Sequence, residues 1–355
     1  MNTAKEKIFA NAFNQPVQIG AVSLKNIREY FGSFEEAWKA PFFEIKKIVN
    51  NKNLEEFRQN IDPQKEFEEL KKEKIDILLF EEMPEMLQEI YSPPEILYIK
   101  GNFPSKESTR LAVVGPRKFS SYGKESCEKI VRELGASDND FVIVSGMASG
   151  IDTIAHKTAL DNKMKTIAVL GCGLHESVVY PPSNLRLFRE IIEKEGAVVS
   201  EYPLRMKAAL FTFPQRNRIV AGLSAGTLVV EAPQKSGSLI TASLALESNR
   251  EVFAIPGNIF SKNSEGVNKL IKAGALPVTS SDDILQAFGM EIKNSTENEF
   301  LSPEEKNIVD QINEPIQRDD LLRKVKLPTS ELNSLLSRME IKGIIKEIGG
   351  RIYPA

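Results

Sequence analysis

The feature that most restricts the fold is a repeated alternation of sequence character between residues 110 and 290. Seven short apolar runs, rich in β-branched residues, are separated by stretches of helical composition; they span residues 111–115, 141–146, 166–171, 197–201, 227–232, 251–256 and 276–280. Apolar runs bounded by glycine and separated by helices are typical of parallel strands buried on both faces. The pattern predicts an α/β fold with a doubly wound parallel sheet, whose ligands bind at the carboxyl ends of the strands.

The segments on either side of this alternation predict smaller parts. Residues 1–66 have the character of short helices, and apolar residues in 19–33 recur at near-helical spacing up to Gly32. Ile19-Gly20 before that helix resembles a helix-hairpin-helix turn, which can offer backbone amides to a phosphate. A SAM-like helical packing domain is the favoured interpretation, because three glutamates lie close to this turn.

The chain therefore divides into a helical domain, a sheet domain, a linker and a terminal domain: residues 1–66, 67–290, 291–300 and 301–355. Residues 291–300 are polar, and a capping box at Ser302 and Glu305 then opens a helix. Two further helices and a hairpin turning at Gly349-Gly350 follow. This order predicts a winged helix.

Composition excludes several classes of function. The net charge is -3, so any nucleic-acid site must be a local patch of positive charge. Two cysteines and two histidines, with no CxxC pair, argue against a structural zinc site. Because neither a signal peptide nor an apolar run of spanning length is present, we expect a cytoplasmic protein without membrane contact. No metal or cofactor is predicted.

The loops after the predicted strands are rich in glycine and serine, which let a backbone approach a phosphate closely. They include residues 115–124, 145–152, 171–173 and 231–241. Two stretches, 108–124 and 202–230, each contain four basic residues and no acidic one. If both stretches meet at one edge of the sheet, they form a positive groove for a polyanion.

The second basic stretch contains the segment FTFPQRNRIV. Arg216 and Arg218 flank Asn217 near a predicted helix start, and guanidinium groups bind phosphate oxygens bidentately. Phe211 and Phe213 alternate beside them and offer rings that stack on bases in single-strand binders. The alternative is that one or both rings pack in the core, the usual fate of phenylalanine.

Enzyme motifs are incomplete. The loop after the first parallel strand reads GPRKFS, so the dinucleotide fingerprint is missing, and Lys235-Ser236 lacks the upstream glycine of a P-loop. Asp152 and His156 lie four residues apart and form either an acid–base pair or, more commonly, a helix cap and a packed histidine. No nucleophile, base and orienting group come together in the sequence.

Six segments resemble the DprA/Smf (DNA-processing protein A) family and occur in the family's order: VGPRKFSSYG, VSGMASGIDTIAHKTAL, AVLGCGLHESVVYPPSN, SEYPLRMKAALFTFPQRNRIVAGLS, VVEAPQKSGSLITASLALESNREVFAIPGN and GVNKLIKAGA. The resemblance implies an extended Rossmann-like core that binds single-stranded DNA and forms homodimers, with the region around 266–276 as interface. It further implies a role in natural transformation, in which incoming strands are protected and the RecA recombinase is loaded onto them.

By the same resemblance, Arg117 is the phosphate-binding arginine. The predicted DNA-binding residues are Arg117, Lys118, Ser120, Gly146, Ser149, Gly150, Lys207, Phe211, Phe213, Arg216, Asn217, Arg218, Lys235 and Ser236; no catalytic residue is predicted. Two positions depart from the family pattern. Pro116 stands where Ser or Thr is usual, and Leu210 where a basic residue is common, with Lys207 as its possible replacement.

Two other functions compete with strand binding. The core is also similar to the LOG phosphoribohydrolases, nucleotide-processing enzymes with a PGGxGT loop and a nearby glutamate. Here Gly226-Thr227 and Glu231 are present, but the double glycine is not. The third possibility is an interaction scaffold that binds no DNA.

Overall fold

The computed structural model describes residues 3–16, 19–49, 53–105, 107–291, 302–312, 316–325, 327–341, 344–348 and 351–354. They divide into two compact units, Met1–Met290 and Glu291–Ala355. The predicted linker 291–300 lies outside the described residues except for Glu291, and so does the predicted turn Gly349-Gly350.

A nine-stranded sheet organises the first unit. Its strands are β1 (Ile75–Leu79), β2 (Ile96–Gly101), β3 (Thr109–Val114), β4 (Phe141–Ser145), β5 (Thr166–Val169), β6 (Ala197–Ser200), β7 (Gly226–Val229), β8 (Glu251–Ala254) and β9 (Leu276–Pro277), in the order β1-β2-β6-β5-β4-β3-β7-β8-β9. β1 and β2 pair antiparallel with each other, as do β2 and β6. The other pairs are parallel, so the seven apolar runs become seven parallel strands and the α/β fold is confirmed.

Helices cover both faces of the sheet. They are α1 (Thr3–Asn14), α2 (Ala21–Phe31), α3 (Phe34–Lys39), α4 (Phe42–Ile48), α5 (Leu54–Asn60), α6 (Pro63–Lys72), α7 (Glu85–Gln88), α8 (Ser121–Ala136), α9 (Ile151–Asp161), α10 (Leu185–Glu193), α11 (Thr212–Gly222), α12 (Gly237–Glu247), α13 (Glu265–Lys272) and α14 (Ser281–Ala287). On β3, Leu111 and Val113 face a cluster with α8, α9 and α14, while Ala112 and Val114 face a cluster with α11, α12 and α13. Successive side chains of a strand point to opposite faces, so a wholly apolar strand fills two cores at once.

The N-terminal helices pack on the edge of the sheet formed by β1, β2 and β6 and share one hydrophobic core with it. A buried polar network ties α1 to the strands. Tyr98 on β2 donates a hydrogen bond to Asn11 (2.8 Å) and accepts one from Asn14 (3.1 Å). Asn14 also donates to the carbonyl oxygen of Glu201 (2.9 Å), just beyond β6. The helical segment is thereby joined to the part of the sheet that carries the predicted site.

The described residues of the second unit form three helices and a three-stranded antiparallel sheet: α15 (Pro303–Gln311), β10 (Ile316–Gln317), α16 (Arg318–Val325), α17 (Thr329–Ile341), β11 (Ile345–Ile348) and β12 (Arg351–Pro354). Ser302 and Glu305 form the expected capping box at the start of α15. The element order is that of a winged helix, and this assignment stays a prediction. Across the described ranges, no helix is long and apolar enough to cross a membrane.

Substitution Tyr98→Phe tests whether the polar network holds α1 against the sheet. The ring stays buried, but the hydroxyl that serves Asn11 and Asn14 is lost. Because a buried hydrogen bond contributes about 1 kcal/mol, we expect the free energy of unfolding in urea to fall by about 1–2 kcal/mol. Tyr91→Phe is the matched control, since Tyr91 is 87% exposed. Equal stabilities of the two variants would contradict the prediction.

Candidate nucleic-acid interface

The loops after β3, β4, β5 and β6 meet at one edge of the sheet, where parallel strands end. Gly150, in the loop after β4, has a φ of +93° and lies against the loop after β3; an added Cβ would be 2.4 Å from the carbonyl oxygen of Pro116 and 2.7 Å from the Cα of Arg117. The amide of Ile151 donates to that same carbonyl (3.3 Å). Glycine is needed here because both the backbone angle and the close approach exclude a side chain.

The glycine turn, residues 146–150, is closed from inside by Asp152. One carboxyl oxygen of Asp152 accepts hydrogen bonds from the amides of Gly146 and Ala148, each 3.2 Å long. Burial raises the pKa of Asp152, while Arg216 and these amides act in the opposite direction. Asp152 therefore caps the glycine turn and not the helix, contrary to the prediction of a helix cap, because α9 begins after Gly150 without a side-chain cap.

His156 is packed in the core rather than placed for catalysis. Its Nδ1 lies 2.7 Å from the hydroxyl of Thr166, which itself donates to the carbonyl of Ile143 (2.7 Å). Nδ1 must therefore carry the proton and donate to Thr166. Nε2 is buried and has no hydrogen-bond partner in the part of the chain that the structure describes. Burial, with a smaller contribution from Arg216, lowers the pKa of His156 to about 3.

Arg216 lies beneath the glycine turn and is only 4% exposed. Its Nη1 donates to the carbonyl oxygens of Gly146 and Val169, and its Nε donates to the side chain of Asn217. A Cβ at Gly146 would be 2.5 Å from the guanidinium carbon, so the turn closes over the arginine only because residue 146 is glycine. Sequence reasoning expected Arg216 to be a phosphate contact, but the structure makes it mainly a brace between the ends of β4 and β5.

Above this brace lies a small cavity that we call the arginine pocket. It is lined by Arg117, Gly146, Ala148, Ser149, Gly171, Tyr180, Pro181, Phe213 and Arg216. Arg117 is exposed, and its guanidinium carbon lies 5.7 Å from the ring centre of Phe213. Its volume is about 40 Å³, far below that of cavities that hold a base or a small organic ligand. The pocket therefore has room only for a small group, and the aromatic rings of Tyr180 and Phe213 line it beside the guanidinium of Arg117.

Sequence reasoning missed Tyr180, although it lies within a segment that resembles the family. The Tyr180 ring is 43% exposed, and its centre lies 5.5 Å from that of Phe213, with the planes tilted by 47°. Together the two rings form an aromatic surface beside the cation of Arg117. Tyr180 belongs to the long connection after β5, where no periodic pattern singles it out.

Arg218 lies on α11 but lines a different cavity from Arg117, contrary to the expectation that the arginines share one groove. It forms an ion pair with Glu201, and the two side chains are 13% and 12% exposed. Phe211, which is 51% exposed, lies on the same side as Arg218 and lines a different cavity from Phe213. The prediction that the three arginines meet in one cleft therefore holds only for Arg117 and Arg216.

Other cations counted in the two basic stretches are neutralised or lie elsewhere. Arg110 is buried near the amino end of β3 and donates to the carbonyls of Pro104 and Ser105. Arg205 pairs with Glu69, and Lys124 with Glu128. Besides Arg117, the predicted contacts Lys118 and Lys207 of these stretches are exposed and make no ion pair within the described ranges, and the same holds for Lys235, which lies outside both stretches. The positive surface at this edge consequently contains fewer charges than the sequence count implied.

The remaining predicted residues have structural roles as well. Ser120 caps α8, and its hydroxyl and amide both donate to Glu231, at 2.5 Å and 3.0 Å. Ser236 caps α12, and Asn217 reaches the carbonyl of Gly237 at 3.4 Å. Ser149 is exposed at the rim of the arginine pocket. Their contact with DNA stays a prediction.

Fold and site together define the class: a doubly wound α/β protein with an arginine-lined pocket at the carboxyl edge of its sheet. The sequence model of the family described as DNA recombination-mediator protein A matches residues 76–289. The chain belongs to this family, whose members include DprA and Smf.

Individual relatives agree with this assignment. The chain is 48% identical to DNA processing protein DprA of Streptococcus pneumoniae over 202 residues, 57% of this chain and 70% of that protein. It is 36% identical to Protein Smf of Synechocystis over 324 residues, which cover 87% and 80% of the two chains. The crystal structure of the S. pneumoniae protein superposes with a TM-score of 0.67 at 36% identity, covering 82% of this chain and 99% of that one.

A second similar structure is described in terms of DNA binding. DNA processing protein A from Helicobacter pylori, whose structure is described in terms of its single-stranded DNA binding mode, superposes with a TM-score of 0.53 at 30% identity. The match covers 61% of this chain and 95% of that chain.

Arg216→Ala should destabilise the first unit. Removing the guanidinium leaves the carbonyls of Gly146 and Val169 without their donor and leaves Asp152 buried without its compensating charge. Loss of one member of a buried charge pair costs about 3–5 kcal/mol, and we expect a loss of that size in urea unfolding. A variant that unfolds like the wild type would show that Arg216 is not a brace.

His156→Gln tests the pH dependence that burial creates. The native histidine stays neutral, whereas the unfolded chain binds a proton below a pKa of 6.5. Stability is therefore fully present above pH 6.5 and falls as the pH drops toward 3, by up to about 1.4 kcal/mol per pH unit. Between pH 7 and pH 5, the wild type should lose about 2 kcal/mol more than the variant. Parallel stability curves would contradict this.

Proposed function

We propose that the chain binds single-stranded DNA at the carboxyl edge of its sheet without catalysing a reaction. The observation that carries the proposal is the arginine pocket, in which the exposed guanidinium of Arg117 lies beside the aromatic rings of Phe213 and Tyr180. A cation for the phosphate and ring faces for the bases are the two elements that single-strand binders combine.

The geometry favours a single strand over a duplex. Tyr180 and Phe213 can stack only on bases whose faces are free, and in a duplex those faces are already stacked on their neighbours. The residues at this edge belong to loops and to the first turn of α11, so no helix is presented as a whole to a major groove. The relative from H. pylori supports the same choice through its described single-stranded DNA binding mode.

Electrostatics supports a local contact rather than a global attraction. The chain as a whole has a net charge of -3, so distant parts of it repel a polyanion. Arg117, Lys118, Lys207 and Lys235 are exposed and make no ion pair within the described part of the chain. Because so few free cations are available, we expect a modest salt dependence that reflects a small number of phosphate contacts.

The competing enzyme of the LOG type has weaker support. Glu231, its candidate catalytic carboxylate, is 2% exposed and accepts hydrogen bonds from Ser120 and Asn263. These bonds use the carboxylate oxygens to join two loops, so they are not available to a substrate. Release of free base from nucleoside monophosphates by the purified chain would restore this alternative.

The biological role follows the family. We infer that the chain acts in natural transformation, where it protects incoming single strands and helps to load the RecA recombinase. It does so as a homodimer that pairs through residues 266–276. In support, α13 occupies this region, and Ile259 and Phe260 nearby in the sequence are 79% and 90% exposed. Sedimentation of the purified chain tests the dimer, and strand exchange with RecA present tests the loading role.

Arg117→Ala should weaken binding to oligo-dT by about 1–3 kcal/mol, the scale of a lost charge-assisted contact. The slope of log affinity against log salt should fall by about 0.7, the value for one phosphate contact on a single strand. Arg132→Ala, which removes an exposed arginine from α8, is the matched control and should bind like the wild type. Gel retardation at several salt concentrations measures both quantities.

Unchanged affinity and slope in Arg117→Ala would remove this residue from the site. Failure of the wild-type chain to retard oligo-dT even at low salt would favour an interaction scaffold that binds no DNA.

A further inference from the structure

A second, larger cavity lies on the other side of α11 from the arginine pocket. It has a volume of about 430 Å³ and lies between residues 19–24 at the start of α2 and the segment 201–218. Cavities of this size hold small organic ligands or single bases. We call it the N-terminal pocket, because the N-terminal helices supply one of its walls.

One short segment of chain serves both pockets. Phe211, Gln215 and Arg218 line the N-terminal pocket, and their spacing of four and then three residues places them on one face of the helix. Phe213 and Arg216 line the arginine pocket on the opposite face. The two pockets therefore lie on opposite faces of α11, a helix about 10 Å in diameter. A strand bound in the arginine pocket would have to cross this helix to reach the second pocket.

The wall of the N-terminal pocket has unused hydrogen-bonding capacity. Arg218 donates through Nη2 to one oxygen of Glu201. Its Nη1 and the other oxygen of Glu201, Oε1, are buried, and neither has a hydrogen-bond partner among the described residues. Buried polar atoms left without partners are costly, so a ligand that supplies them is favoured. The two residues line the pocket, and within the described part of the chain the pair thus keeps one donor and one acceptor without a partner.

These groups select the chemistry of the ligand. A phosphate has only acceptors, and the carboxylate of Glu201 repels it. The hydrogen-bonding edge of every nucleobase instead presents an acceptor next to an N–H donor, which complements the free Nη1 of Arg218 and Oε1 of Glu201. Phe211, 51% exposed at the entrance, and Met206 provide apolar contacts for the faces of a flat ring.

We infer that the N-terminal pocket receives one base of the bound strand, turned away from its neighbours and held by Phe211 and the Arg218–Glu201 pair. This inference rests on the proposed function, since it needs a strand in the arginine pocket. It gives the N-terminal helices a part in binding, because residues 20–24 close the pocket that the sheet domain alone leaves open.

Comparing the affinity for oligo-dT with the affinity for an abasic oligomer distinguishes a contact to a base from a contact to a phosphate. Phe211→Ala should weaken binding of oligo-dT by roughly 5- to 150-fold, the factor that corresponds to the loss of one stacked base. The same substitution should change binding of an abasic oligomer of equal length by less than about twofold, because the phosphates are unchanged. Phe43→Ala, which removes a 62% exposed phenylalanine from α4, is the control and should alter neither affinity. Thermal unfolding of each variant checks that the fold is retained.

Photocrosslinking of the unmodified chain tests independently whether a base enters the N-terminal pocket. Oligonucleotides that carry 4-thiothymine should crosslink to Phe211, Met206 or Tyr202 in the N-terminal pocket, as well as to residues of the arginine pocket. Equal losses of affinity for oligo-dT and the abasic oligomer in Phe211→Ala, or crosslinks confined to Tyr180 and Phe213, would overturn the base pocket while leaving strand binding intact. Absence of oligo-dT binding by the wild-type chain would overturn strand binding itself, and the base pocket with it.

Discussion

The site depends on one buried guanidinium. Arg216 reaches from α11 into the space beneath the glycine turn and donates to carbonyl oxygens at the ends of two neighbouring strands, β4 and β5. Carbonyl groups at strand ends are left without ladder partners, and burying them without a donor is unfavourable. Arg216 donates to these carbonyl oxygens. It thereby fixes the position of the glycine turn and holds the start of α11 against the sheet. The exposed groups of the arginine pocket take their positions from that arrangement.

The position of α11 decides how the edge of the sheet is used. Because this helix begins at the edge, its first turn stands between two cavities that differ in size and chemistry. The smaller one has a cation and aromatic rings above the buried guanidinium of Arg216, and the larger one is lined by an ion pair with one donor and one acceptor that have no partner among the described residues. A polymer with alternating anionic and heteroaromatic groups matches both. The N-terminal helices complete the larger cavity, and the buried bonds of Tyr98 and Asn14 fix them to the same strands.

Much of this architecture could be predicted from the sequence, because it depends on local patterns. Runs such as LAVVG and FVIVSG are apolar at every position, which specifies strands covered on both faces, and the family motifs located Arg117 and the glycine turn. The distribution of charge could not be predicted in the same way. Counting cations along the chain treats Arg110, Arg205 and Arg218 alike, whereas their partners, Glu69 and Glu201 among them, are brought to them only by folding. Tyr180 was missed because its role depends on a contact with Phe213, 33 positions later in the sequence.

The cap formed by Asp152 has a consequence for selectivity in the cell. In many α/β proteins the backbone amides of a glycine-rich turn are left open, and the phosphates of a nucleotide cofactor bind there. Here the amides of Gly146 and Ala148 are already occupied by a carboxyl group of the chain itself. Free nucleotides such as ATP therefore find these two amides already bonded, and we expect them to compete poorly for the site. A polymer, which gains from several weak contacts at once, keeps its advantage over the abundant monomers that share its chemistry.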